Sequence, residues 1–240
     1  MTRPVFRAVP LPDAGPYRLL GPEGRHAAAV RRLRAGEELL LVDGTGGSAR
    51  AVVTASHRDA LDLQVCDPRR VPPASPRLTV VQALAKGEHA ERAVDLLTEV
   101  GADEIVPWAA ARSVVRWDGD RQARGRLRWQ AVADAAAKQS RRVWWPQVTP
   151  LASTAQVAGL VRAADLGVVL HEAAGRPLAD VDVAAAGSVV LVVGPEGGIA
   201  PEEVDALGAV ACRLGPEVLR TSSAGIAAAA ALLSRTGRWA

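Results

Sequence analysis

Ser188-Val-Val-Leu-Val-Val-Gly-Pro-Glu-Gly-Gly-Ile-Ala-Pro-Glu-Glu-Val204 decides the fold. From Ser188 to Val193 the run is apolar without alternation, which fits a strand covered on both faces; a half-exposed strand alternates apolar and polar side chains. Three glycines within five residues follow, then Pro201 and two acids that open a helix. A buried strand, a tight loop and a helix make the repeating unit of a parallel α/β sheet, whose ligands sit at the carboxyl ends of the strands. The loop is neither a P-loop, since no Gly-Lys-Ser/Thr follows, nor a GxGxxG fingerprint.

Arg213-Leu-Gly-Pro-Glu-Val-Leu-Arg-Thr-Ser-Ser-Ala224 repeats the theme of strand end, glycine turn and helix. Two such loops at neighbouring strand ends would enclose a small-molecule pocket; two plain strand-to-helix turns are the other reading. Further apolar strands are expected at Leu78–Ala85, Leu166–Leu170 and, shorter, Glu104–Trp108. The spacing predicts a helix over Glu88–Val100, with Ala90, Ala93, Val94, Leu97 and Val100 on one face and Gly101 as its stop. A second, arginine-rich helical stretch covers Arg121–Arg142.

Upstream, residues 4–66 read as a small β-rich module. Glu38–Asp43 and Ala49–Ala55 flank Gly44-Thr-Gly-Gly47 as a hairpin, and Ala60–Val65 alternates as a half-buried strand does. Arg25–Arg34 reads as a short helix closed by Gly36; its four arginines suit a phosphate surface. Asp67-Pro-Arg-Arg-Val-Pro-Pro-Ala-Ser-Pro76 holds four prolines in ten residues and reads as a linker. The expected organisation is therefore a β-rich domain over 1–70, a linker over 71–77 and an α/β domain over 78–240.

The 240 residues, 49% hydrophobic and 23% charged, exclude wholesale disorder. Cys66 and Cys212 stand alone, which excludes a disulfide scaffold or thiolate zinc site, and His26, His57, His89 and His171 lack ligand spacing. No metal is expected. Of 29 basic residues only Lys86 and Lys138 are lysine. A GC-rich coding sequence produces such a bias, but local clusters of arginine still suggest a polyanionic partner. The N-terminus lacks an apolar signal segment, and the longest uncharged apolar stretch, Thr221–Ser234, is 14 residues, too short to span a bilayer. A cytoplasmic protein is expected.

The motifs as a set carry a resemblance. GPEGG followed by PEE, and LeuGly followed by ValLeuArgThrSerSerAla before an alanine-rich helix, resemble the signature of the knotted SPOUT-class RNA methyltransferases, and most closely the RsmE family of 16S rRNA uridine N3-methyltransferases. His26-x-x-x-Val-x-Arg-x-x-x-Gly36 is similar to that family's PUA-like module. Lys86-Gly, Thr98-Glu99-x-Gly101, Arg112-Ser113 and Gln139-x-x-Arg142 with Pro146 are similar to its central blocks. Ser222, Ala200, Leu96 and Lys138 depart from the usual acid, Ser/Thr, lysine and glutamate.

The resemblance implies an α/β fold: a C-terminal SPOUT-type parallel sheet with a deep trefoil knot, plus a small PUA-like barrel domain. It also implies an S-adenosyl-L-methionine (SAM) cofactor and a homodimer. The substrate would be 16S rRNA or the small ribosomal subunit. Cofactor contacts fall to Leu170, His171, Gly194, Pro195, Gly197, Leu214, Gly215 and Leu219. Arg220 is the first catalytic candidate, as a cation near the uracil carbonyls, and Glu196 the second, as a proton acceptor or a loop-ordering group. Arg25, Arg31, Arg32 and Arg34 in the first domain, and Arg112, Arg116, Arg141 and Arg142 in the second, would hold RNA, with Trp144 and Trp145 available for stacking. The alternatives are 2′-O-ribose methylation by the same knotted class, a non-catalytic rRNA-binding assembly factor, and a dinucleotide oxidoreductase, which the missing GxGxxG disfavours.

Overall fold

The computed structural model describes residues 3–239, divided into two compact units. One comprises Met1–Pro73 together with Ala137–Trp145; the other comprises Ala74–Ala136 and Pro146–Ala240.

The first unit is a five-stranded sheet. Its elements are β1 (Val5–Arg7), β2 (Gly15–Leu19), helix α1 (Gly21–Arg25) running into a π-helical turn (His26–Val30), β3 (Glu38–Val42), β4 (Gly47–Ser56) and β5 (Leu61–Arg70). The order is β1-β3-β4-β5-β2, antiparallel except for β1 against β3. Phe6, Leu39, Leu41, Leu61, Leu63 and Val65 form its core. The expected helix over Arg25–Arg34 lies earlier: Pro22 sits in its first turn, and the chain leaves helical geometry by Arg32, where φ is +55°. Proline fits a first helical turn because it has no N–H to leave unpaired. Strand β5 also outruns the apolar pattern. It continues through Asp67 and Pro68, where the register slips by one residue between Arg50↔Cys66 and Ser48↔Arg69. A bulge is where a ladder tolerates proline.

Ala137–Trp145 joins this unit through the hairpin loop. Gly46 N–H donates to the Val143 carbonyl at 2.9 Å, Trp145 N–H donates to the Gly44 carbonyl at 3.0 Å, and Thr45 bridges Trp144. Arg141 and Arg142, expected in the second domain, therefore belong to the first unit. The tryptophans are not free stacking platforms. Trp144 lies against Gly46 and donates its indole N–H to the Val71 carbonyl at 2.9 Å. Trp145 lies against Gly44 and under the Arg7 guanidinium, 4.8 Å from its ring centre, and donates to the Arg142 carbonyl at 2.9 Å. Lys138 pairs with Glu23 at 2.6 Å.

The second unit is a six-stranded, wholly parallel sheet. In chain order it contains β6 (Arg77–Ala83), α2 (Glu88–Val100), β7 (Glu104–Trp108), α3 (Asp120–Gln139, its last residues in the first unit), β8 (Gln147–Val148), α4 (Thr154–Ala163), β9 (Leu166–Leu170), β10 (Ser188–Val193), α5 (Pro201–Leu207), β11 (Val210–Cys212) and α6 (Thr221–Leu233). The strand order is β11-β9-β10-β6-β7-β8. Strand β10 shows why its sequence lacks alternation: Val189, Leu191 and Val193 enter one core with Leu97 and Leu232, while Val190 and Val192 enter another with Val106 and Ile199. Among the described residues, no helix is long and apolar enough to cross a membrane.

Candidate active site

Because every strand of this sheet points the same way, the loops after β9, β10 and β11 emerge at one edge, and β9 lies between the other two. Together they enclose a cavity of about 400 Å3, the size of a pocket for a small molecule or cofactor. Leu170, Leu214 and Leu219 contribute apolar walls, and Ile199 and Val193 close the floor. Strand β10 delivers Gly194, Pro195 and Glu196 to the rim; β9 delivers His171 and Glu172; the segment after β11 delivers Gly215, Arg220 and Thr221.

The glycine loop is shaped by two close approaches. A Cβ at Gly194 would stand 2.6 Å from Ile199 Cγ1, so the bare backbone lets Ile199 seal the turn. A Cβ at Gly197 would stand 3.1 Å from the Arg112 carbonyl oxygen. Gly197 is not among the lining residues. Its neighbour Gly198, with φ at +73°, takes that place. Arg112 is tied to the same turn by a long 3.4 Å contact from Nη1 to the Gly197 carbonyl.

His171 closes its own loop. Its backbone N–H donates to the Cys212 carbonyl at 2.9 Å, and its Nδ1 accepts from Ala173 N–H at 3.2 Å. Glu196 is exposed and accepts from Lys86 N–H at 3.3 Å, which links the turn to the start of α2. Arg220 is exposed at the cavity mouth and immediately precedes α6. Burial pushes the Cys212 thiol above its ordinary value, which favours its protonated form.

Arg116 donates to the Ala111 carbonyl at 3.1 Å. Arg25, Arg32, Arg34 and Arg141 are exposed on the first unit, while Arg142 is half-buried and donates to the Trp144 carbonyl at 2.9 Å. Arg112 and Arg116 stand on the second unit.

Two further groups at this edge, His89 and Glu203, give no functional signal in the sequence. His89, in the first turn of α2, lines the cavity; a lone histidine in a polar turn gives no signal. Glu203 is buried on α5. Its Oε1 accepts from Ala111 N–H at 3.0 Å and from the Thr154 hydroxyl at 2.8 Å. It thereby fastens α5 to the loop that carries Arg112. Its place beside Glu202 in the helix-opening ProGluGlu hides that role, because one acid faces outward and the other inward.

Residues 73–233 match the family model of an RNA methyltransferase domain, and residues 19–66 that of an RNA methyltransferase PUA domain. The chain is 49% identical to the ribosomal RNA small subunit methyltransferase E of Mycobacterium bovis, over all of this chain and 94% of that one. It is 30% identical to the Bacillus subtilis protein of the same name, over 93% and 92% of the two chains. A crystal structure of the Neisseria gonorrhoeae ribosomal RNA small subunit methyltransferase E bound to SAM superposes with a TM-score of 0.85, at 25% identity over 97% and 98% of the chains. A parallel sheet with its cavity at the strand ends, in a chain matched along its whole length, belongs to the ribosomal RNA small subunit methyltransferase E family.

Proposed function

We propose that this chain transfers the methyl group of SAM to N3 of a uridine in 16S rRNA. The observation that carries the proposal is the cavity at the ends of β9, β10 and β11, with an arginine at its mouth. Its volume and its leucine walls suit an adenosyl group, and the backbone exposed at Gly194 and Gly215 offers amides and carbonyls to the purine edge. When bound, SAM supplies an electrophilic methyl group on a sulfonium.

What the residues must add follows from the acceptor. N3 of uracil carries a weakly acidic proton between two carbonyls; negative charge develops on O2 and O4 as that proton leaves to solvent, and N3 then takes the methyl group while the sulfonium departs as a neutral thioether. In this reading Arg220, which lines the cavity, stabilises that charge. Glu196 accepts the Lys86 amide, which favours the loop-ordering role over that of proton acceptor. N3 lies on the Watson–Crick edge, so the uridine must be unpaired or turned out of its stack. Arg25, Arg32, Arg34 and Arg141 on the first unit, and Arg112 and Arg116 on the second, contact the phosphate backbone in this reading.

The domains are assigned as a PUA-like RNA-binding unit and a SAM-binding unit whose last segment threads a trefoil knot. The working form is a homodimer, in which Val218, 80% exposed, and Leu219, 41% exposed, are covered by the second copy. Incubation with tritiated SAM and small-subunit rRNA, followed by nuclease digestion and mass spectrometry, tests the reaction. Label on N3 of one uridine is expected. Label on a ribose 2′-oxygen would replace the reading with 2′-O-methylation, and tight RNA binding without label would replace it with an assembly factor.

A further inference from the structure

Gln82 stands near the carboxyl end of β6, with both strand neighbours, Pro107 of β7 and Val193 of β10, uncharged. It is fully buried, and a primary amide in such a place is destabilising unless its hydrogens are used. Its Nε2 donates to Thr221 Oγ1 at 2.9 Å and, more weakly, to the Ala83 carbonyl at 3.3 Å. Thr221 Oγ1 in turn donates to the Gly194 carbonyl at 2.8 Å. A hydroxyl has a single proton. With that O–H pointing at the Gly194 carbonyl, the Thr221 oxygen can meet Gln82 only as an acceptor, so Gln82 faces it with its amide N–H. The direction of the chain is therefore fixed: amide N–H to hydroxyl oxygen, hydroxyl proton to backbone carbonyl.

The other half of the amide supports this direction. Among the described residues, Gln82 Oε1 is buried and has no hydrogen-bond donor. Turning the amide over would place that oxygen against Thr221, and the hydroxyl would then swing its proton away from Gly194. The arrangement leaves one acceptor unsatisfied and keeps the relay. Bonds in such a chain polarise one another.

Gly194 and Thr221 both line the cavity, one on the loop after β10 and the other at the start of α6, and Gln82 does not line it. We propose that Gln82 is a positioning residue for the methyl donor. Acting through Thr221, it locks the Gly194 loop to the Arg220-bearing segment and so presets the wall against which the donor binds. This rests on the reading of the cavity as the SAM site.

The test uses the full-length protein, with SAM binding followed by calorimetry and methyl transfer to small-subunit rRNA followed at varied SAM. Q82E keeps the shape of the side chain but removes both hydrogens, and its carboxylate would draw the Thr221 proton away from Gly194. T221V keeps the shape of threonine and removes the hydroxyl; T221S keeps the hydroxyl. Q82E and T221V are each expected to weaken SAM binding roughly tenfold, the loss that a broken buried hydrogen bond produces. KM for SAM should rise by more than kcat falls. T221S should recover most of the affinity, and the double variant Q82E/T221V should bind no more weakly than the weaker single variant.

Melting curves establish that each variant folds. Should Q82E not fold, T221V against T221S decides the same point. Wild-type affinity in a folded Q82E or T221V would overturn the proposal, as would a T221S no better than T221V. A wild-type protein that binds no SAM would instead remove the reading of the cavity, and the relay's role with it.

Discussion

The protein has two glycine-rich loops with opposite uses. Gly44-Thr-Gly-Gly47 joins β3 to β4, and Gly194-Pro-Glu-Gly-Gly198 joins β10 to α5. In the first, the missing side chains make room for aromatic rings: a Cβ on Gly46 would stand 2.6 Å from the Trp144 indole, and one on Gly44 would stand 3.3 Å from that of Trp145. In the second they make room for Ile199, for the Arg112 backbone and for a cavity. Each loop also holds an acid. Asp43 is buried and bonds its own loop, whereas Glu196 is exposed and reaches to the start of α2. Glycine clusters in a sequence mark where the backbone must come close to something. Whether that is protein or ligand depends on what the rest of the chain brings to the same place.

If the second loop serves a ligand, the largest effects there are chemical. Arg220→Ala should lower kcat for methyl transfer by roughly 10²–10³, the loss seen when one preorganised donor to a developing anion is removed. Calorimetric affinity for SAM should stay within about tenfold. Turnover near wild type would remove Arg220 from the chemistry and weaken the contrast between the loops.

If the first loop serves packing, its glycines should govern stability instead. Gly46→Ala places a methyl group against both the indole and the Val71 carbonyl at a φ of +92°. Overpacking combined with a left-handed residue should cost about 3 kcal/mol, read as a lower denaturant midpoint, with SAM affinity unchanged in the folded protein. Gly198→Ala should do the reverse. Its Cβ would meet only Arg112 Nη1 and Glu172 Oε1, both at 3.8 Å, so stability should fall by about 1 kcal/mol from φ alone. Affinity for SAM should fall several-fold, since the new methyl group stands on a cavity wall. Equal effects of the two substitutions on both readouts would erase the distinction.

Much of this was legible beforehand, for identifiable reasons. Strands β7, β9 and β10 and helix α2 have the bounds that their sequences predict, because apolar runs and a left-handed Gly101 are local signals. Helix α4 carries a local signal too. Ser153 and Gln156 form a capping box, and the Ser-x-x-Gln spacing announces it. Strand β2 was hidden by Gly15 and Pro16, which suit an edge strand and look like a turn. Ala137–Trp145 could not be placed from the sequence, because what anchors it are backbone groups of Gly44, Gly46 and Val71, at a separation of about seventy to a hundred residues. At the site the loops were legible from their glycines. Gln82 and Glu203 were not, because a polar residue within an apolar run or a helix start reads as solvated until its buried partners are known.

The smallest effect separates the two loops by their acids. Asp43 Oδ1 accepts from Thr45 N–H at 2.7 Å and from Gly47 N–H at 2.9 Å, while Oδ2 faces Arg70 at 3.1 Å. Burial alone would push this carboxyl up; the two amides, with Arg70, more than reverse that and hold it below the usual carboxylate range. A carboxyl depressed in the folded protein stabilises it above the unfolded value, near pH 4, and loses that contribution as the pH falls through the folded value. Unfolding of the first unit should therefore grow easier on acidification from about pH 4 downward. Asp43→Asn retains an acceptor for the two amides but cannot titrate, so it should be less stable than wild type at pH 6 by less than either glycine substitution. The gap should narrow steadily as the pH falls below about 4, read from denaturant midpoints at each pH. Parallel curves across that range would mean that the charge does not hold the loop, leaving the tryptophans and the backbone bonds of Ala137–Trp145 to do so.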